Sequence, residues 1–150
     1  MLQRLMELLG IVAADLLPHY PPRLSFVGNI HPVIVFAERS AFDGFTFDPD
    51  AMRALMDEQG WAGTVTTLYT LSPVEFEARN LFPVGTMSED PATGSAAASV
   101  GGYLRALRLV EAPVRITIYQ GRHFGRPSIL AVDIPRTGGI VVSGTASIIQ

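Results

Sequence analysis

The chain has 150 residues, enough for one domain with a sizeable core. A hydrophobic fraction of 48% fits a globular protein, and a formal charge of −3 at pH 7 argues against nucleic acid or a membrane surface as a partner. There is no Cys, which removes disulfides, thiolate zinc sites and thiol nucleophiles, and all 11 basic residues are Arg, which removes a Lys Schiff base or phosphate-loop Lys.

The N-terminal stretch Met1–Leu17 is apolar in places but is interrupted by Arg4, Glu7 and Asp15. It reads as neither signal peptide nor membrane span, so a cytoplasmic location is the expectation. Leu2, Leu5, Met6, Leu8 and Leu9 fit an amphipathic helix stopped by Gly10, and Ile11–Leu17 fits one more turn before Pro18. Residues 18–22 contain three prolines and are extended or turning. Arg23–Ile30 and Pro32–Glu38 read as strands, which puts His31 in the connection as a turn histidine. Ser40–Asp48 reads as a loop whose Phe42, Phe45 and Phe47 cap one end of the core.

Asp48, Pro49 and the apolar Met52, Leu55 and Met56 define a helix to Gln59, with Gly60 after it. Trp61 is a core or edge anchor. Gly63–Leu71 and Pro73–Phe82 read as strands. In the second, Val74, Phe76, Ala78 and Asn80 alternate with Glu75, Glu77, Arg79 and Leu81, so the two Glu residues are expected on a solvated face. Ala112–Gln120, Ser128–Ile134 and Ile140–Ile148 read as closing strands. Val114, Ile116, Ile118 and Gln120 share one side of the first of them. Arg126 could hold a carboxylate, but pairing with an acidic loop is the expectation.

The stretch Glu89-Asp90-Pro91-Ala92-Thr93-Gly94-Ser95-Ala96 carries the densest chemistry. Pro91 suits a first helical turn, and Asp90 or Thr93 can cap it. Gly94, Ser95 and Ala96 then offer amides without intrahelical partners, which together with the helix dipole favour an anion. Ser95 adds a hydroxyl that can donate to a carboxylate or pass a proton. Asp90 is equally readable as a plain helix cap. Downstream, Val100, Tyr103, Leu104 and Leu107 form an apolar face, and the other faces are small residues, as in a buried helix. Gly101-Gly102 costs about 2 kcal/mol of helix propensity, so a close approach of neighbouring backbone is expected there. The whole reads as an α+β domain: about six or seven strands, mostly antiparallel, rolled around this central helix, with one peripheral helix.

Glu89–Ala96 resembles the signature of the PhzF-like phenazine-biosynthesis isomerase family, which shares the diaminopimelate-epimerase-like fold. Gln120-Gly121 with Gly125-Arg126-Pro127-Ser128, and Gly138–Ala146, resemble the family's following strands, so that the likeness runs from Glu89 to Ile149. It implies that residues 1–150 form a single C-terminal lobe of a two-lobed enzyme, without the N-terminal lobe that carries a catalytic Glu and a Gly-His pair. His19, His31 and His123 are not in that setting.

The resemblance further implies catalytic roles for Asp90 and Ser95, and substrate binding by Thr93, Gly94, Ser95 and Ala96. The implied chemistry is proton transfer on a small carboxylic acid without metal or organic cofactor, the main base coming from the other lobe. The implied partner is an N-terminal-lobe chain or, in a homodimer, a second copy. A different reading is a noncatalytic carboxylate-binding or assembly module that self-associates through the exposed interlobe surface.

Overall fold

The computed structural model describes residues 1–148; Ile149, the last residue of the family-like stretch, lies outside them. Eight strands form one sheet: β1 (Arg23–Phe26), β2 (Ile30–Phe36), β3 (Val65–Ser72), β4 (Glu75–Val84), β5 (Met87–Asp90), β6 (Val114–Gln120), β7 (Ser128–Ile134) and β8 (Val141–Ser143). The order is β1-β2-β3-β4-β6-β7-β8, with β5 paired to β4 beside this path. The β2–β3 and β4–β6 pairs are parallel and the rest antiparallel. The helices are α1 (Leu2–Leu9), α2 (Arg39–Gly44), α3 (Pro49–Gln59) and α4 (Gly94–Ala106). No helix among the described residues is long and apolar enough to cross a membrane.

The sheet curls around α4, as the small-residue composition requires. Ala97, Val100, Tyr103 and Leu104 of the helix pack on Val33 and Val35 of β2, Leu68 of β3, Phe76 of β4, Ile116 and Ile118 of β6 and Val132 of β7. The opposite sheet face is covered at β2 by α1, α2 and α3, where Leu5, Leu9, Phe42, Met52, Leu55 and Met56 meet Ile34 and Phe36. Helix α3 begins as its sequence predicts: the Asp48 carboxylate accepts from the Asp50 and Ala51 amides, and Gly60 adopts the left-handed conformation at the end.

Several expectations change. The Ser40–Asp48 segment is not a loop throughout, because α2 forms across Arg39–Gly44. The last strand is shorter than Ile140–Ile148. Strand β4 is buried on both faces, since it lies between β3 and β6 with α4 on one side. Glu77 and Arg79 are therefore only 5% and 8% exposed, and are held by ion pairs instead of water. Arg126 is exposed and forms no ion pair among the described residues. The two helix glycines also differ from each other. A Cβ at Gly101 would meet the Ile140 side chain at 2.9 Å and Val132 at 3.1 Å, whereas Gly102 faces open space. The close neighbours of Gly101 are thus side chains of β7 and the residue before β8, not backbone.

Candidate functional site

Asp90 ends β5; it is not a cap of α4. Asn80 and Leu81 of β4 pair with Asp90 and Glu89, and this strand register continues the chain in extended form to the motif. Strand alternation sends the two carboxylates to opposite faces. Glu89 turns to Arg79, whose Nε lies 3.2 and 3.3 Å from the two carboxylate oxygens. Arg79 also donates to the Phe42 and Phe45 carbonyls, which ties α2 to this pair. Asp90 turns the other way, towards the start of α4, and remains half-buried.

Thr93 stands at the N-cap position without capping through its side chain, because its hydroxyl donates to Asp90 Oδ2 at 2.6 Å. Helix α4 therefore starts at Gly94, later than Pro91 suggests. The amides of Gly94, Ser95 and Ala96 have no acceptor among the described residues, as expected of a first turn. The Thr93 amide, in contrast, is engaged, since it donates to Gln120 Oε1 at 3.3 Å.

Gln120 is the positioning residue that the sequence pattern hid. It is 2% exposed and ends the apolar face of β6. Its Nε2 donates to the Asp90 carbonyl at 2.6 Å and to the Thr93 hydroxyl at 2.9 Å. Ser128 adds a bond from its hydroxyl to the Pro91 carbonyl at 2.8 Å. Gly121, at φ +88°, lets the same turn approach: a Cβ there would lie 2.7 Å from the Pro91 oxygen and 2.1 Å from the Arg126 oxygen. The family-like segment Gln120–Ser128 thus holds the first one in place.

Asp90, Thr93 and Ser95 line one small pocket of about 160 Å³ with Asn29, His31, Thr64 and Phe82. Asp90 is the only carboxylate on that lining. Gly94 is exposed and Ala96 fully buried, and neither lines the pocket. A larger open groove of about 930 Å³ lies elsewhere, along Tyr119, Ile129, Ala131 and Ser143, and does not include Asp90 or Ser95.

His31 is not a turn residue. Gly28 turns the hairpin at φ +88°, the Val27 amide bonds to the Asn29 carbonyl, and His31 lies inside β2 opposite Ser25. It is 1% exposed. The Thr64 amide donates to its Nδ1 at 3.1 Å. Thr64 and Thr66 hydroxyls both donate to Asn80 Oδ1, at 2.8 and 2.7 Å, and this links the pocket wall to β4.

Asp43, Glu77 and His123 form the one group among the described residues with the proximity of a metal ligand set. Its carboxylates already pair with Arg39 and Arg122, and His123 Nε2 lies 2.7 Å from Asp43. That chemistry is a charge-balanced network joining α2, β4 and the turn after β6.

A sheet curled about one buried helix, with a carboxylate and a hydroxyl at the helix start, defines a diaminopimelate-epimerase-like lobe. The chain matches the model of the phenazine biosynthesis-like proteins, PhzC-PhzF, over residues 2–150, and it belongs to that family. A predicted epimerase from Pseudomonas aeruginosa has a similar structure at TM-score 0.69 and 28% identity, over 95% of this chain and 49% of that one. The Bacillus anthracis phenazine biosynthesis protein of the PhzF family superposes at TM-score 0.72 and 17% identity, over 94% of this chain and 50% of its own. Antisense-enhancing sequence 1 of Schizosaccharomyces pombe is 34% identical over 84 residues, 55% of this chain and 28% of its own length. The chain therefore spans about half the length of the two solved relatives and less of the curated one.

Proposed function

We propose that this chain supplies one side of an isomerase or epimerase site that moves protons on a small carboxylic acid. The family membership favours such chemistry over a noncatalytic assembly module. The observation that carries the reading is the convergence of Asp90 and Ser95 on one pocket, beside first-turn amides that have no acceptor among the described residues. The Ser95 hydroxyl and amide, with the exposed Gly94 amide at the same helix start, hold the substrate carboxylate. Asp90, oriented by Thr93 and Gln120, exchanges or shares a proton with the substrate. Thr93 itself positions Asp90, since both its hydroxyl and its amide are committed internally.

In this reading residues 1–150 are the C-terminal lobe, and the main base comes from a complementary lobe, upstream in a longer chain, on a separate chain or on a second copy. No metal or organic cofactor takes part. The test is deuterium wash-in from D2O into amino- and hydroxy-substituted unsaturated acids, followed by NMR, with the protein isolated together with its bound partners. Asp90→Asn and Ser95→Ala are expected to slow wash-in at least a hundredfold. Wash-in at the wild-type rate in both variants would overturn the assignment.

A further inference from the structure

The pocket that holds Asp90 and Ser95 is lined almost entirely by polar or small residues. Phe82 is the one large apolar side chain among the described residues there, and it is half-buried, within reach of a ligand. A second hollow, of about 320 Å³, lies on its other side, along Arg53, Met56, Asp57 and Trp61. Phe82 and Ala62 are the residues that the two linings share. Ala62 is exposed and has no side chain beyond its Cβ. Phe82 is thus the partition between the two spaces.

The backbone holds this partition in place. Phe76 and Ala78 of β4 face α4 and Leu81 faces the other way, so alternation puts Asn80 and Phe82 on the α4 face. Leu81 pairs with Glu89 and Val84 with Met87, which leaves Phe82 and Pro83 opposite Ser88 alone. Two residues against one make a β-bulge, a device that re-aims side chains beside functional sites. Pro83 suits it, having no N–H to give to the ladder. Asn80 pairs with Asp90 in the same ladder, so one pair of strands fixes both Phe82 and Asp90.

We propose that Phe82 determines the specificity of this site by closing the far end of the acid-binding pocket, so that short unsaturated acids fit and extended ones do not. The role rests on the proposed function, from which it takes the ligand's carboxylate and its place at the start of α4. With the carboxylate at Ser95 and the reacting carbon at Asp90, the remaining end of the ligand meets Phe82. A polar group against the ring would lose its water without gaining a partner, so that end is apolar. At about 160 Å³ the pocket is smaller than the roughly 300–1,000 Å³ of sites for drug-sized ligands, and Phe82 keeps it so by separating it from the second hollow.

The probes are crotonate and cinnamate, which share a carboxylate and a double bond and differ in carrying a methyl or a phenyl group. Each is titrated into the ¹⁵N-labelled chain, isolated with its bound partners, and followed at the Gly94 and Ser95 amides. The wild type is expected to bind crotonate about tenfold or more tightly than cinnamate. Phe82→Ala joins the two hollows and should reverse this preference: cinnamate gains about tenfold, and crotonate loses about threefold with its apolar contact. Phe82→Leu keeps a branched apolar side chain in case Phe82→Ala does not fold, and its preference should fall between the two.

Cinnamate bound by the wild type as tightly as crotonate would overturn the proposal. So would an unchanged preference in the variants while the Gly94 and Ser95 amides still shift; either result leaves the carboxylate site standing. Absence of any shift at Gly94 and Ser95 with both acids would overturn the site and the role of Phe82 together.

Discussion

Replacing Gln120 by Leu tests whether the motif is held from outside. The side chain supplies three bonds: to the Asp90 carbonyl, to the Thr93 hydroxyl and from the Thr93 amide. Leu has similar volume, so no large cavity opens, but the buried Thr93 amide loses its acceptor. An unsatisfied buried group costs about 1–3 kcal/mol, and each lost bond adds about 0.5–1.5 kcal/mol. Since the three bonds share one side chain and some groups will find water, a destabilisation of about 2–4 kcal/mol is expected. That is less than the stability of a typical domain, about 5–15 kcal/mol, so the variant folds. Urea unfolding gives the energy, and amide exchange at Thr93 gives the location. The Thr93 amide should lose protection while the β6 amides keep theirs. A stability within about 0.5 kcal/mol of wild type, with Thr93 still protected, would refute the latch.

Other substitutions probe separate links. Gly102→Ala should stabilise the chain by about 1 kcal/mol, because its Cβ meets nothing and Ala is the better helix former; Gly101→Ala should destabilise it, because β7 and Ile140 side chains must yield. Thermal melts of the two variants should therefore shift in opposite directions. Glu89→Gln leaves the Arg79 guanidinium buried against a neutral partner and should cost about 3 kcal/mol by denaturant unfolding. Burial pushes the Tyr103 phenol above its usual value of 10, and its hydroxyl donates to the Pro21 carbonyl at 3.0 Å. The unfolded chain then loses this proton first. Stability is complete below pH about 10 and declines above it, by up to about 1.4 kcal/mol per pH unit, and Tyr103→Phe should reduce that slope in urea titrations.

Helices α1, α3 and α4 were the most legible part of the fold because their signals are local, whereas the short α2 was not read. Asp48, Pro49 and Gly60 mark α3 by hydrogen-bond chemistry at its own ends, and the small residues of α4 declare a helix with no solvated face. Strand β5 was not legible. Met87-Ser88-Glu89-Asp90 has no β pattern, and its pairing depends on Asn80 and Leu81 of β4 and on Arg79 buried beside Glu89. The same distance in sequence disguised Glu77, whose burial depends on Arg39 and Arg122 from two other segments.

For the site, spacing around a helix start left Asp90 open between cap and acid-base residue, the resemblance of Glu89–Ala96 to the family signature singled out Asp90 and Ser95, and the structure brings them to one pocket. Gln120 was visible as the end of an apolar face and in a family-like segment, but its hold on Asp90 and Thr93 was not, since these partners lie about 30 positions earlier in the chain. His31 was masked by Gly28, Asn29 and Pro32, which all suggest a turn. The glycine does make one, but three positions ahead of the histidine.

The most direct test of the central claim is deuterium wash-in at the substrate carbon, measured by NMR on the chain isolated with its bound partners, for the wild type and Asp90→Asn. The account predicts that the wild type exchanges a carbon-bound proton of a small unsaturated carboxylic acid with solvent, and that Asp90→Asn, equally folded, loses that exchange at least a hundredfold. Exchange that persists unchanged in Asp90→Asn would contradict it.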